Sequence, residues 1–125
     1  AATRAHGTTR TVASYVTASI PRLVESVRDA QRVMDLDPSL VGVHLEGPFL
    51  APGRRGAHDG TLLCQPDPAS VDRLLEIAPG VLRKITIAPE LPGAMDAIRR
   101  EVERTPNLRV TFPNLVEDEL LNNLI

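Results

Sequence analysis

The sequence predicts an α/β fold of consecutive parallel βα units, about half of a TIM-type (β/α)8 barrel. Three observations carry this. Aliphatic and β-branched runs alternate four times with amphipathic stretches along the 125 residues, and such alternation implies parallel strands joined by right-handed crossovers. One run, L-V-G-V-H-L-E at 40–46, is almost continuously apolar, as in strands covered on both faces. Four βα units are half of a barrel whose usual length is roughly 250 residues. An open doubly wound sheet is the competing architecture. Its phosphate loop is usually a short Gly-rich turn, and neither G-x-G-x-x-G nor G-x-x-x-x-G-K-[ST] occurs here.

Residues 8–17, T-T-R-T-V-A-S-Y-V-T, are rich in β-branched residues and read as the first strand. Ser19 is the expected N-cap of the next helix, with Pro21 in its first turn. Leu23, Val27, Ala30 and Met34 make its apolar stripe, and D-L-D-P at 35–38 ends it. The second strand is 40–46, and a long Gly/Pro/Arg loop runs from Gly47 to about Pro68. Ser70 is the expected cap of a helix with the stripe Val71, Leu74, Leu75 and Ala78, stopped by Pro79-Gly80. V-L-R-K-I-T-I-A-P-E, 81–90, is the third strand. The helix of 92–104 has Ala94, Ala97, Ile98, Glu101 and Val102 on one side, and Pro106-Asn107 break it. L-R-V-T-F, 108–112, is a short fourth strand. E-D-E-L-L-N-N-L-I at the end reads as helical, acidic at its start as the helix dipole prefers. The expected organisation is a single partial domain over 1–125.

Hydrophobic residues are 42% and charged residues 24% of the chain, the norm for a soluble globular domain. The net charge of −2 comes with no basic block, so no nucleic-acid partner is expected. Tyr15, Phe49 and Phe112 are the only aromatics, which makes the core aliphatic. The single cysteine, Cys64, excludes an internal disulfide, fits a reducing, cytoplasmic compartment and reads as a bystander. No apolar run approaches the roughly 18 residues needed to span a bilayer, so no membrane partner is expected. The start, A-A-T-R-A-H-G, has neither a signal-peptide stretch nor an initiator Met, and reads as the middle of something longer.

In either architecture function gathers at the carboxyl ends of the strands. Two acids fall there: Glu46 after V-G-V-H-L and Glu90 after I-T-I-A-P. Side chains alternate along a strand, so Gly42, His44 and Glu46 share one face and Val41, Val43 and Leu45 the other. The apolar set belongs under the helices and the polar set inside the barrel, with Glu46 at its open end. A carboxylate there can ligate a divalent metal, act as a general base or pair with a cation. Pattern alone leaves a structural ion pair or loop cap slightly ahead, more clearly so for Glu90. His44, two residues deeper, reads as a hydrogen-bonded interior histidine rather than a ligand. Long loops without secondary structure are often functional. This one carries Arg54, Arg55 and His58, which suit an anionic or sugar-like ligand, although a solvated loop explains the arginines equally well. In Gly56-Ala57-His58 small residues admit a ligand close to the backbone and His58 can donate or accept.

H-L-E-G-P-F-L at 44–50, followed by G-A-H at 56–58, resembles the signature of the N-acetylglucosamine-6-phosphate deacetylases, metal-dependent barrels of the amidohydrolase superfamily. H-G-T-T at 6–9, the S-Y-V-T that follows, and T-I-A-P-E at 86–90 agree with that family in order and spacing. The resemblance covers roughly residues 4–104. It implies hydrolysis of the acetamide of N-acetylglucosamine 6-phosphate to glucosamine 6-phosphate and acetate, with an amino-sugar phosphate as the small-molecule partner. It implies a divalent metal, zinc or another transition metal, ligated by Glu46, and substrate contacts at Ala57 and His58. A bound metal would polarise the amide carbonyl and acidify its water.

The family's H-x-H pair lies upstream of residue 1, and its catalytic aspartate lies later than this chain extends, so no catalytic residue is assigned here. Residues 105–125 depart from the family pattern: Pro113-Asn114 falls where a glycine and a ligating histidine belong. One glutamate holds a metal weakly, since catalytic sites use about three protein ligands. The chain alone is therefore expected to be inactive. Half a barrel exposes two sheet edges, from which a homo-oligomer or else a poorly folded chain is expected. Another amidohydrolase-type barrel and a non-catalytic βα binding scaffold are the alternative readings.

Overall fold

A computed structural model describes residues 5–77 and 79–113. Strand β1 (Thr11–Val16) leads to helix α1 (Ile20–Leu36), β2 (Leu40–Glu46), α2 (Pro68–Glu76), β3 (Leu82–Thr86), α3 (Ala94–Arg104) and β4 (Arg109–Thr111). All adjacent strands are parallel and their order is β1-β2-β3-β4. The order follows the chain without the reversal that defines a doubly wound sheet. That is the strand order of a barrel segment.

The alternation read from the sequence sets the layers. Val43 and Leu45 of β2 and Ile85 of β3 are fully buried against Leu23, Val27 and Ala30 of α1, Val71 and Leu74 of α2, and Ala94 and Ala97 of α3. Burying each larger aliphatic side chain contributes roughly 1.5–3 kcal/mol. The other face of the sheet carries Ser14, His44, Lys84 and Thr86. On β1 that face also exposes Val12 and Val16. Its apolar side chains are left in water, while the helix-facing ones are in the core.

Several boundaries differ from expectation for local reasons. β1 is shorter than 8–17, beginning where Thr11 N–H reaches Ser39 O. Asp67, not Ser70, caps α2: its carboxylate accepts from Ala69 N and Ser70 N, and Pro68 takes the first helical position. Ser19 precedes α1 in extended conformation but makes no side-chain cap bond. The loop of 47–67 holds two short 3-10 turns, Pro52–Arg54 and Gly60–Leu62. β3 ends at Thr86, so Glu90 lies in an exposed turn four residues beyond the strand. Val102 faces water on α3, whereas Ala94, Ala97 and Glu101 are buried. Ala78 and the terminal helix expected over 117–125 lie outside the described residues. No helix among the described residues is long and apolar enough to cross a membrane.

Helices α2 and α3 are tied on the outside by Asp72, which pairs with Arg100 and Arg104. Inside that seam Glu101 is fully buried with both carboxylate oxygens lacking a partner. Burial raises its pKa from 4.5 to about 8. The folded state thus holds the proton more tightly than the unfolded chain. Its stability contribution is full below the unfolded value of 4.5 and is lost as the pH rises through the folded value of about 8. The linkage amounts to about 5 kcal/mol. We expect urea midpoints of the wild type to fall from pH 5 to pH 9 and those of Glu101→Gln to stay level. Parallel pH profiles of the two proteins would contradict a buried, protonated Glu101.

Candidate active site at the carboxyl ends of the strands

The polar face of the sheet is hydrogen-bonded from strand to strand. Ser14 Oγ lies 3.0 Å from His44 Nδ1, His44 Nε2 lies 2.8 Å from Thr86 Oγ1, and Thr86 Oγ1 lies 2.9 Å from Thr111 Oγ1. Thr111 donates to the Ile85 carbonyl at 3.3 Å. That carbonyl can only accept, which gives the line one direction. Thr86 donates to Thr111 and His44 Nε2–H donates to Thr86, while a neutral ring accepts from Ser14 at Nδ1. His44 is thereby satisfied as a neutral ring. Burial, and next the charge of Lys84, lower its pKa against the opposing pull of Glu46. It is hydrogen-bonded at both ring nitrogens, as expected, but half-buried on the face that no helix covers.

Glu46 sits one step further along the same face, at the last residue of β2. Its side chain is 46% exposed, and His58 lies beside it, with Nε2 3.8 Å from Oε1. His58 arrives from the loop in a turn closed by His58 N–H donating to Arg55 O at 3.1 Å. Gly56 occupies that turn at φ +59°, a left-handed conformation that explains its type. Ala57 is exposed beside it. Glu46, Arg54, Arg55, Ala57, His58 and Pro113 line one open cleft. The structure thus brings Glu46, Ala57 and His58 together and leaves Glu90 apart.

The stretch after Glu46 anchors this rim. Gly47, Pro48, Phe49 and Leu50 are all buried, and Phe49 is the only aromatic in the core cluster of buried residues. Phe49 O accepts from Ala88 N at 2.8 Å and Pro48 O from Cys64 N at 3.2 Å. The A-P-E segment after β3 is therefore bonded directly to the G-P-F-L segment after β2. Burial, and next Asp67, raise the pKa of Cys64, which fits an inert thiol.

Thr17, directly after β1, completes the rim and is nearly buried. Its hydroxyl donates to Glu46 O at 3.1 Å and lies 2.8 Å from His58 Nδ1. Nothing in the sequence singles it out, because contacts across 29 and 41 residues leave no local pattern. One trace does exist. Gly47 has φ +92°, and a Cβ there would lie 2.2 Å from Thr17 Oγ1. The glycine of H-L-E-G-P makes room for the threonine.

The donor set fits a divalent cation in kind, since Glu46 offers an exposed carboxylate and His58 an imidazole nitrogen. It is short in number: no group of three potential ligands occurs among the described residues. Pro113, at the end of β4, reaches the cleft but has no ligating side-chain atom. Asn114 lies outside the described residues.

The crystal structure of N-acetyl-D-glucosamine-6-phosphate deacetylase from Mycobacterium smegmatis matches 86% of this chain at 38% identity with a TM-score of 0.79. The Danio rerio N-acetylglucosamine-6-phosphate deacetylase is 36% identical over 99 residues, 74% of this chain. This chain is a partial relative of the N-acetylglucosamine-6-phosphate deacetylases. It is also 36% identical over 85 residues to the N-acetylgalactosamine-6-phosphate deacetylase of Escherichia coli O157:H7. The chain spans 22% and 24% of these two curated deacetylases and 28% of the solved one. The deacetylase structures have the amidohydrolase TIM-barrel fold, and the four parallel strands correspond to part of it. A variant of the Mycobacterium smegmatis deacetylase is solved in complex with N-acetyl-D-glucosamine-6-phosphate. No protein-family profile matches the chain.

Replacing Gly47 by alanine should cost about 2 kcal/mol or more, because a positive φ and a buried close approach are both violated. Urea denaturation measures this, and a change within about 0.5 kcal/mol would show that Thr17 does not need the glycine.

Proposed function

We propose that the chain is a single partial domain, 1–125, of a metal-dependent deacetylase that hydrolyses the acetamide of an amino-sugar 6-phosphate. The products are the free amino sugar phosphate and acetate. The observation that carries this reading is the convergence of Glu46, Ala57 and His58 on one cleft at the carboxyl ends of parallel strands. The partial relationship to N-acetylglucosamine- and N-acetylgalactosamine-6-phosphate deacetylases supports the substrate class.

In this reading Glu46 holds the divalent metal, zinc or another transition metal, as one of several ligands. When bound, the metal supplies Lewis-acid polarisation of the amide and acidification of water. The protein's own part is placement. Glu46 is fixed at its backbone by Thr17, while its carboxylate stays open to the cleft. Ala57 leaves the adjacent backbone accessible, and the His58 ring stands over the cleft as a hydrogen-bonding group for the substrate. Arg54 and Arg55 give the same cleft two cationic side chains near the position of an anionic group. Holding the phosphate orients the distant amide, so binding energy away from the bond is used at the bond.

With one carboxylate and one imidazole at the cleft, the chain alone binds metal weakly and does not turn over. The shortage of ligands among the described residues equally supports a non-catalytic βα scaffold. The fold and the single, partly buried Cys64 fit a cytoplasmic enzyme. Among the described residues β1 and β4 each pair on one side only, which supports self-association. Sedimentation should give a mass above that of one chain, and a compact monomer would contradict it.

Calorimetric titration with zinc tests the metal assignment. Loss of outer-shell partners alone lowers affinity 10–100-fold, so Glu46→Ala should lose at least about tenfold. Equal affinity of the two proteins would remove Glu46 from the site. Acetate release from N-acetylglucosamine 6-phosphate with added zinc should stay at background for the chain alone. Turnover at a rate ordinary for enzymes would overturn the claim that the ligand set is incomplete.

A further inference from the structure

We propose that the cavity beside Val16 is the acyl subsite of the cleft, and that Val16 is the specificity-determining residue that lets it take short acyl chains longer than acetyl. This rests on the reading of the chain as part of an amino-sugar phosphate deacetylase. It adds which side of Glu46 receives the acyl group.

Val16 is the last residue of β1 and the register partner of Glu46, so the two stand at one level of the polar face. Adjacent strands are about 4.8 Å apart. The valine is 65% exposed, and a cavity of about 240 Å³ opens beside it between Thr17, Ala57, His58 and Asp59. Ala57 and His58 also line the cleft that holds Glu46, Arg54 and Arg55. The two spaces therefore meet at Ala57-His58 and differ in chemistry. One offers a carboxylate and two guanidinium groups. The other offers the apolar surface of Val16 and Ala57. Its acid, Asp59, is turned to its own loop, accepting from Thr61 N at 2.9 Å and from Thr61 Oγ1 at 2.8 Å. An anion is drawn to the arginines and repelled by Asp59.

An N-acyl amino-sugar phosphate divides in the same way. Its phosphate is anionic and its ring carries hydroxyls. Its one apolar terminus is the acyl chain, which begins one bond from the carbonyl carbon that is attacked. With that carbon at Glu46 and the phosphate toward Arg54 and Arg55, the acyl chain is left on the β1 side, where Val16 stands. A space of about 240 Å³ is several times the roughly 30 Å³ that one water occupies in the liquid, so it holds more than a methyl group. Each further methylene placed there covers more of Val16, and apolar area removed from water is favourable in proportion.

The test is a homologous series read by binding. N-formyl-, N-acetyl-, N-propionyl- and N-butyrylglucosamine 6-phosphate are titrated into the full chain without metal, so that no amide is cleaved. Shift changes in methyl-labelled NMR spectra give the dissociation constants. The wild type should bind each homologue roughly twofold or more tighter than the one before, the limit for a fully buried methylene being about fourfold. Val16→Ser should flatten the series. Val12→Ser, on the same face four residues earlier, should keep the slope. A wild-type series without slope would overturn the proposal, as would an unchanged slope in a Val16→Ser chain shown to be folded by its urea midpoint. If Val16→Ser does not fold, the wild type decides through cross-relaxation between the acyl protons and the Val16 methyls, whose absence would overturn it. Failure of all four ligands to bind would remove the deacetylase reading and the subsite with it, whereas binding without slope removes the subsite alone.

Discussion

One row of hydrogen bonds, from Ser14 through His44 and Thr86 to Thr111, crosses the four strands, stepping up two residues between β2 and β3. It holds the strands in register on the face that no helix covers. Register matters more in a sheet than length, because a slip of one residue would send every polar side chain of a strand to the core face. The row also sets the height of everything beyond it. Glu46 on β2 is level with Thr86 at the upper end of the row, Thr17 follows just after β1, and the end of β4 reaches the same cleft. The carboxylate is thus positioned by bonds that do not touch it. The bond to Thr86 puts a proton on His44 Nε2, and burial favours the neutral ring, which then accepts from Ser14 at Nδ1.

H-L-E-G-P-F-L divides its work between the two faces. His44 and Glu46 belong to the polar face, and Leu45 to the core. Gly47 clears space for Thr17, and Pro48, Phe49 and Leu50 bury the root of the loop. The loop can then be long and solvent-facing in its middle while both ends stay fixed. Phe49 O bonded to Ala88 N makes the strand ends of β2 and β3 one unit. That bond gives T-I-A-P-E a structural reason for accompanying the motif, while Glu90 itself points into water.

Much of this was legible in the residues. The alternation of Val43, His44, Leu45 and Glu46 predicts both faces of β2, and the stripes of Leu23, Val27 and Ala30 and of Val71 and Leu74 predict the helix faces that meet them. Boundaries were less legible where two capping residues compete. Asp67 and Ser70 are both good caps, and Asp67 prevails because Pro68 is suited to follow it. The residues joining distant segments were not legible at all. Thr17, Thr86 and Thr111 look like ordinary β-branched strand formers until the fold brings Thr17 and Thr86 beside histidines and Thr111 beside Thr86. Glu101 falls on the apolar side of its helix by periodicity alone, but its lack of any partner depends on how α3 seats against the core.

The central claim is that Glu46, at the open end of a barrel strand, is a ligand for a divalent metal. Crystals of the chain soaked in millimolar cobalt or zinc and measured at the metal's absorption edge test it most directly. The account predicts an anomalous peak within about 2.2 Å of a Glu46 carboxylate oxygen, on the side facing His58. A metal bound elsewhere with Glu46 empty would contradict it.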